Sequence, residues 1–178
     1  MNILAGILKV IIGNMFFKRI LKELENRKIK YLAIGGVAVN LHGYNRITND
    51  LDIILSFEEN NVNIFIELMN DLGLKPKVPV DPNELADLEK REFWKKERNM
   101  KVFSFFNPNN EQEVVDVMIQ DYINYDEALK NSKLMKDENI SIPVISIDDL
   151  IRLKEISGRG RDLVDIKILK KLKEREYE

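Results

Sequence analysis

Two aspartates flank a single leucine in the run Thr48-Asn49-Asp50-Leu51-Asp52-Ile53-Ile54-Leu55, and about a dozen residues upstream the chain reads Ile34-Gly35-Gly36-Val37-Ala38. In a strand successive side chains alternate faces, so Asp50 and Asp52 point one way while Leu51 and Ile53 point the other. Two carboxylates about 7 Å apart on one strand face repel each other, and a divalent cation between them would remove that repulsion. The glycine pair falls where a strand over 31–34 meets a short helix over 37–41, a junction that offers backbone N–H groups to a phosphate. Carboxylates for a cation beside N–H groups for a phosphate are the parts of a metal–nucleotide site.

A third carboxylate, Asp116, lies in the apolar run Val114-Val115-Asp116-Val117-Met118-Ile119. A charge inside such a strand is costly unless it is paired or bound to a metal. Asp50, Asp52 and Asp116 are therefore expected to converge on one site from strands of one sheet. Three oxygen donors on rigid strands suit Mg2+ or Mn2+, which keep waters and phosphate oxygens among their ligands. In a two-metal arrangement one ion holds a triphosphate and the other activates an acceptor hydroxyl. Asp50 and Asp52 would bridge both ions, and Asp116 would serve the acceptor side.

The elements that must carry these residues follow from hydrophobic period and stop signals. A helix is expected over 15–27, with Phe17, Ile20, Leu21 and Leu24 on one face. Strands are expected over 30–34 and 51–56, separated by the short helix and a loop at 42–46 that Gly43 opens. Ser56-Phe57-Glu58-Glu59 resembles a capping box opening a helix that Gly73 ends. Residues 74–82 hold three of the five prolines and read as a connector, and 82–98 as a surface-facing helix. Strands over 100–106 and 113–119 around Asn107-Pro108-Asn109-Asn110 read as a hairpin. A helix at 125–134, a strand at 139–145, a helix to 156 capped at Ser146 and a last helix over 160–175 complete the chain. The last helix is expected to bury Leu163, Ile166, Leu169 and Leu172. Trp94, Phe103, Phe105 and Phe106 read as core. Residues 1–178 make one domain of α+β class, a mixed or antiparallel sheet with flanking helices, with 146–178 as C-terminal helices.

Composition narrows the chemistry. The 178 residues contain no cysteine and one histidine, His42, which excludes thiolate metal sites, cysteine catalysis and a multi-histidine zinc site within one chain. His42 reads as a helix-end residue rather than a base. A net charge of −2 and a pI near 5.7 argue against tight nonspecific nucleic-acid binding. The apolar start, Met1 to Phe17, is short for a membrane span, carries Lys9 in its middle and is followed by no small-residue cleavage site. A cytoplasmic protein without a membrane role is expected. Met1 to Asn14 are read either as an N-terminal extension, with Met15 as the natural start, or as part of the core; the oligomeric state is left open.

These residues resemble the nucleotidyltransferase fold of the DNA polymerase beta-like superfamily, whose signature is a glycine turn, an Asp-x-Asp and a third aspartate on a later strand. The stretch from Ala33 to Ile53 is similar to small prokaryotic members related to abortive-infection toxins and minimal nucleotidyltransferases. The tail, Ile145 to Lys154 followed by Gly158-Arg159-Gly160-Arg161-Asp162-Leu163-Val164-Asp165, resembles the closing segment of the same group. The resemblance implies transfer of a nucleoside monophosphate from an NTP to a hydroxyl, with pyrophosphate leaving. It implies that Gly35 and Gly36 cradle the triphosphate, that Lys154 offers it a cation, and that Asp162 orients Lys154 or a metal-bound group. Arg46 and Thr48 would reach the nucleotide or buttress the loop. The implied acceptor is a tRNA end, a protein hydroxyl or a small molecule, and a toxin would have an antitoxin protein as partner. Read without the resemblance, Lys154 is a solvated helix lysine, Arg46 pairs with Asp162, and Arg159, Arg161, Asp162 and Asp165 form surface ion pairs. A nucleotide-binding or protein-interaction module without chemistry is the alternative from another class.

Overall fold

The computed structural model describes residues 15–137 and 140–176. The first helix, α1 (Met15–Asn26), buries Phe16, Phe17, Ile20, Leu21 and Leu24. Strand β1 (Tyr31–Ala33) leads directly into α2 (Gly35–Leu41), and β2 (Asp50–Leu55) follows after a loop. Next come α3 (Glu59–Asp71), β3 (Lys75–Pro76), a 3-10 turn (Pro82–Ala86) and α4 (Leu88–Glu97). The hairpin strands β4 (Val102–Asn107) and β5 (Asn110–Met118) precede α5 (Tyr125–Asn131), β6 (Lys133–Asp137) and β7 (Ile140–Val144). Two helices, α6 (Ile147–Ser157) and α7 (Gly160–Glu176), end the described chain.

The seven strands form one sheet in the order β3-β4-β5-β2-β1-β7-β6. It is mixed: β2 runs parallel to β5 and β1 parallel to β7, while the other neighbours are antiparallel. β5 and β2 are thus interior strands. One face is apolar, with Leu51, Ile53, Val115, Val117, Phe103 and Phe105 all buried. On this face Phe65 of α3 meets Phe105 edge-on at 5.7 Å, and Trp94 of α4 lies 5.4 Å from Phe103. Burying an aromatic side chain is worth roughly 1.5–3 kcal/mol, so this cluster holds β4 against the helices, and β4 in turn pairs with β5, the strand that carries Asp116.

The expected α+β class, mixed sheet and flanking helices are found, with several local differences. The cap expected at Ser56 is displaced: α3 starts at Glu59 and its N-cap is Glu58, without a side-chain bond. Asn61 does the joining instead, accepting from Lys30 N–H at 2.8 Å and donating to the Ser56 and Lys30 carbonyls. The proline-rich connector contains the edge strand β3, paired with β4 at Lys75↔Phe106 and Pro76↔Phe105. The segment 82–98 is a 3-10 turn and a helix rather than one surface helix; Trp94 and Arg91 are buried, and Arg91 donates to Leu85 O at 2.5 Å. The helix expected to 134 stops at Asn131, because 133–137 pair with β7 as strand β6. Phe106 is only half-buried. In α7, Leu163 is exposed at 58%, while Asp162 and Asp165 are buried with Ile166 and Leu169. The inward stripe therefore runs 162, 165, 166 and 169, a helical spacing that the charged residues join because buried cations face them. Residues 1–14, read as an extension or as core, lie outside the described residues. Among the described residues no helix is long and apolar enough to cross a membrane.

Candidate functional site

The register of the sheet brings two of the expected carboxylates side by side. Asp52 on β2 is paired with Asp116 on β5, and Asp50 with Val114. Adjacent strands lie about 4.8 Å apart, and paired residues share a face, so Asp50, Asp52 and Asp116 stand on the sheet face opposite the aromatic core. Ser104 of β4, paired with Asp116, extends the row. All three aspartates line a cleft of about 320 Å³ together with Gly35, Gly36, Arg46, Lys101, Lys154, Arg159, Arg161 and Asp162. The cleft lies between the sheet face and α6–α7, whose Leu150, Leu153 and Ile156 contribute an apolar wall with Val102, Met118 and Tyr122.

The glycine pair has a steric reason. Gly35 has φ +62°, and a Cβ there would lie 1.9 Å from Asp52 Oδ2; a Cβ on Gly36 would lie 2.5 Å from Thr48 Oγ1 and 2.9 Å from Arg46 Nη2. The helix expected from Val37 in fact begins at Gly35, with the Gly36 N–H bonded to the Asp52 carboxylate. The strand-to-helix turn is thus built against Asp52, and only glycine admits that approach.

The electrostatics are those of crowded acids. Burial, then the charges of Asp116 and Asp50, push Asp52 up to about 7, against the Gly36 N–H bond and the Arg159 charge. Asp116 is also raised, by burial and by Asp50, with a Ser104 hydrogen bond and the Lys77 charge opposing. Asp116 Oδ1 is buried without a hydrogen-bond partner. Among the described residues no three acidic or histidine side chains form a ready ion cage; the aspartates share a face without closing around one point. An orphaned carboxylate oxygen beside two repelling carboxylates still fits a hard cation that takes its other ligands from water and phosphate.

The cationic side is a buried network. Lys154, 5% exposed, donates to Asp165 Oδ2 at 2.7 Å and to Asp162 Oδ1 at 3.3 Å. Arg46 Nη1 donates to the same Asp165 oxygen at 2.7 Å, so Arg46 pairs with Asp165 and not with Asp162. Arg159 binds Asp162 Oδ2 through Nε at 2.9 Å and its backbone N–H at 3.2 Å. Burial works against the Asp162 charge, but bonds from Arg159 and Ser157 and the Lys154 charge hold it below the usual carboxylate range. The Asp162 bond pushes Arg159 up, aided by the charges of Asp52 and Asp50. These are buried pairs rather than surface ones, apart from the 70% exposed Arg159 side chain.

Thr48 does not line the cleft; its hydroxyl reaches toward Asp50 O at 3.5 Å and buttresses the loop. His42 caps the C-terminus of α2 and its Nε2–H donates to Ile145 O at 2.7 Å, a structural role. Sequence reasoning missed Asn40, whose amide brackets Arg46 by donating to its carbonyl at 2.8 Å and accepting from its N–H at 2.9 Å. It also missed Lys101 and Tyr122 on the cleft wall, which carry no sequence signal, and Ser104, whose alternation opposite Asp116 in the expected hairpin could have marked it.

Among solved structures, the chain is similar to the lincosamide antibiotic adenylyltransferase LnuA with lincomycin bound, at a TM-score of 0.59 and 20% sequence identity, covering 89% of this chain and 97% of that one. At that identity the likeness shows a shared fold, which is consistent with the nucleotidyltransferase fold expected from the glycine–aspartate pattern. No family model matches the chain, and no curated protein matches it.

Proposed function

We propose that this chain is a metal-dependent nucleotidyltransferase that moves a nucleoside monophosphate from an NTP to a hydroxyl acceptor and releases pyrophosphate. The observation that carries the reading is the register Asp52↔Asp116 on adjacent parallel strands, with Asp50 one step along the same face. Likeness of fold to an adenylyltransferase supports it. Asp50, Asp52 and Asp116 would hold Mg2+ or Mn2+, which when bound supplies charge neutralisation for the triphosphate and lowers the pKa of an acceptor hydroxyl. Arg46, Lys154, Arg159 and Arg161 present positive charge to the phosphates, and Gly35 and Gly36 let them approach the backbone. Asp116, raised and with one oxygen unpartnered, is placed to accept the acceptor proton. Attack of the acceptor oxygen on the α-phosphorus forms one P–O bond as the bond to pyrophosphate breaks.

A module without chemistry fits less well. Holding Asp52 and Asp116 half-buried beside Asp50, so that both resist ionisation, lowers stability, and a purely structural sheet has no use for it. The test is incubation with each α-labelled NTP, Mg2+ or Mn2+, and cellular RNA and protein, beside Asp50→Asn/Asp52→Asn. Label transferred by the parent alone supports the reading and names the acceptor class; magnesium-dependent NTP binding without any transfer, small molecules included, would favour the binding module. For a toxin, expression should arrest growth in a manner that Asp52→Asn abolishes.

A further inference from the structure

Asp165 stands behind the cleft and does not line it. It is 2% exposed, and a single oxygen, Oδ2, accepts from Arg46 Nη1 and from Lys154 Nζ, each at 2.7 Å. Both cations do line the cleft. They come from separate parts of the chain, the loop before β2 and the helix α6, while Asp165 is on α7. The other contacts of Arg46 leave it little freedom. Its backbone is bracketed by the amide of Asn40, and its Nη2 lies where a Cβ on Gly36 would come within 2.9 Å. Remove the carboxylate, and Lys154 would keep its longer bond to Asp162 at 3.3 Å, while the two positive side chains, side by side in a half-dry pocket, would repel each other and drive Arg46 toward water.

We propose that Asp165 is a positioning residue for polyphosphate recognition, holding Arg46 and Lys154 together as a preformed pair beside Gly36. The inference rests on the nucleotidyltransferase reading. It carries an internal discriminator, because charge and position act in opposite directions. Were Asp165 merely one negative charge near the cleft, Asp165→Asn would make the cleft more positive and tighten NTP binding. As a positioner, its loss costs the preorganisation of two cations, and binding weakens.

The test measures binding of the magnesium complexes of the four common nucleoside triphosphates, one at a time, to the full chain and its variants. Asp165→Asn is expected to weaken binding about tenfold, the scale of one lost preorganised charged contact, with kcat at saturating NTP changed less than KM. Asp165→Glu should recover part of that loss. In an Arg46→Ala background the same substitution should cost much less than tenfold, since the group it positions is gone. Should Asp165→Asn fail to fold, Arg46→Lys carries the test: it keeps every charge but cannot both lie against Gly36 and reach Asp165, and about tenfold weaker binding is again expected. Equal or tighter binding by a folded Asp165→Asn, unchanged binding by Arg46→Lys, or full additivity with Arg46→Ala overturns the inference while the parent's binding keeps the functional reading. A parent that binds none of the four overturns both.

Discussion

Replacing Asp52 by asparagine should stabilise the metal-free protein at alkaline pH, although it removes one of the proposed metal ligands. Burial, Asp116 and Asp50 push Asp52 up to about 7 from its ordinary value of 3.8. Below pH 4 the carboxyl is protonated in both the folded and the unfolded chain. Between about pH 4 and 7 the unfolded chain loses that proton while the folded one keeps it, so folding stability falls as pH rises, and above 7 the loss is complete. Each pH unit of this gap is worth ~1.4 kcal/mol, which makes the full penalty about 4 kcal/mol, and an amide of the same shape escapes it. For a chain of this size that is roughly 8–16 °C in Tm. The assay is thermal unfolding of parent and Asp52→Asn in chelator from pH 4.5 to 8.5. The variant should match the parent within about 1 kcal/mol at pH 4.5 and exceed it increasingly toward pH 8.5. Added Mg2+ should raise the parent's Tm at pH 8.5, because ligand bound to the folded state stabilises it, and should raise that of the variant far less. A difference independent of pH, or a variant less stable than the parent at pH 8.5, would refute the idea that Asp52 is a repelled, buried acid.

Two further substitutions probe the surroundings. Gly35→Ala places a Cβ 1.9 Å from Asp52 Oδ2 at a residue with φ +62°; it should destabilise the fold by roughly 1–3 kcal/mol and abolish turnover, and a variant with parental Tm and rate would show that the turn can move off Asp52. Lys154→Ala leaves Asp162 and Asp165 short of a buried partner and should cost about 3–5 kcal/mol in urea unfolding, with NTP binding weakened as well; parental stability would return Lys154 to the role of a solvated lysine.

Local pattern made much of this molecule legible. The alternation around Asp50 and Asp52 is a strand property, and Val114–Met118 around Asp116 is another, but their common face depends on the register Asp52↔Asp116, which no local pattern fixes. The glycines were legible as a turn, but their cause was not: no local rule says that Gly35 must clear the Asp52 carboxylate, because that contact depends on how β2 passes α2. The larger failure was at the C-terminus. Leu163 completed an apolar helical stripe with Ile166, Leu169 and Leu172, and hydrophobicity alone favours that face. The actual inward face contains Asp162 and Asp165, which on their own would make burial unfavourable. Burial becomes acceptable because Arg46, over a hundred residues earlier, and Lys154 arrive at the same place, and each charge is worth burying only in the presence of the others. Such a network has no local signature, since every member read singly is an ordinary surface residue. In this chain three of the four charges buried among the described residues, Lys154, Asp162 and Asp165, are gathered at or just behind the cleft, where the pattern's failure itself marks the candidate site.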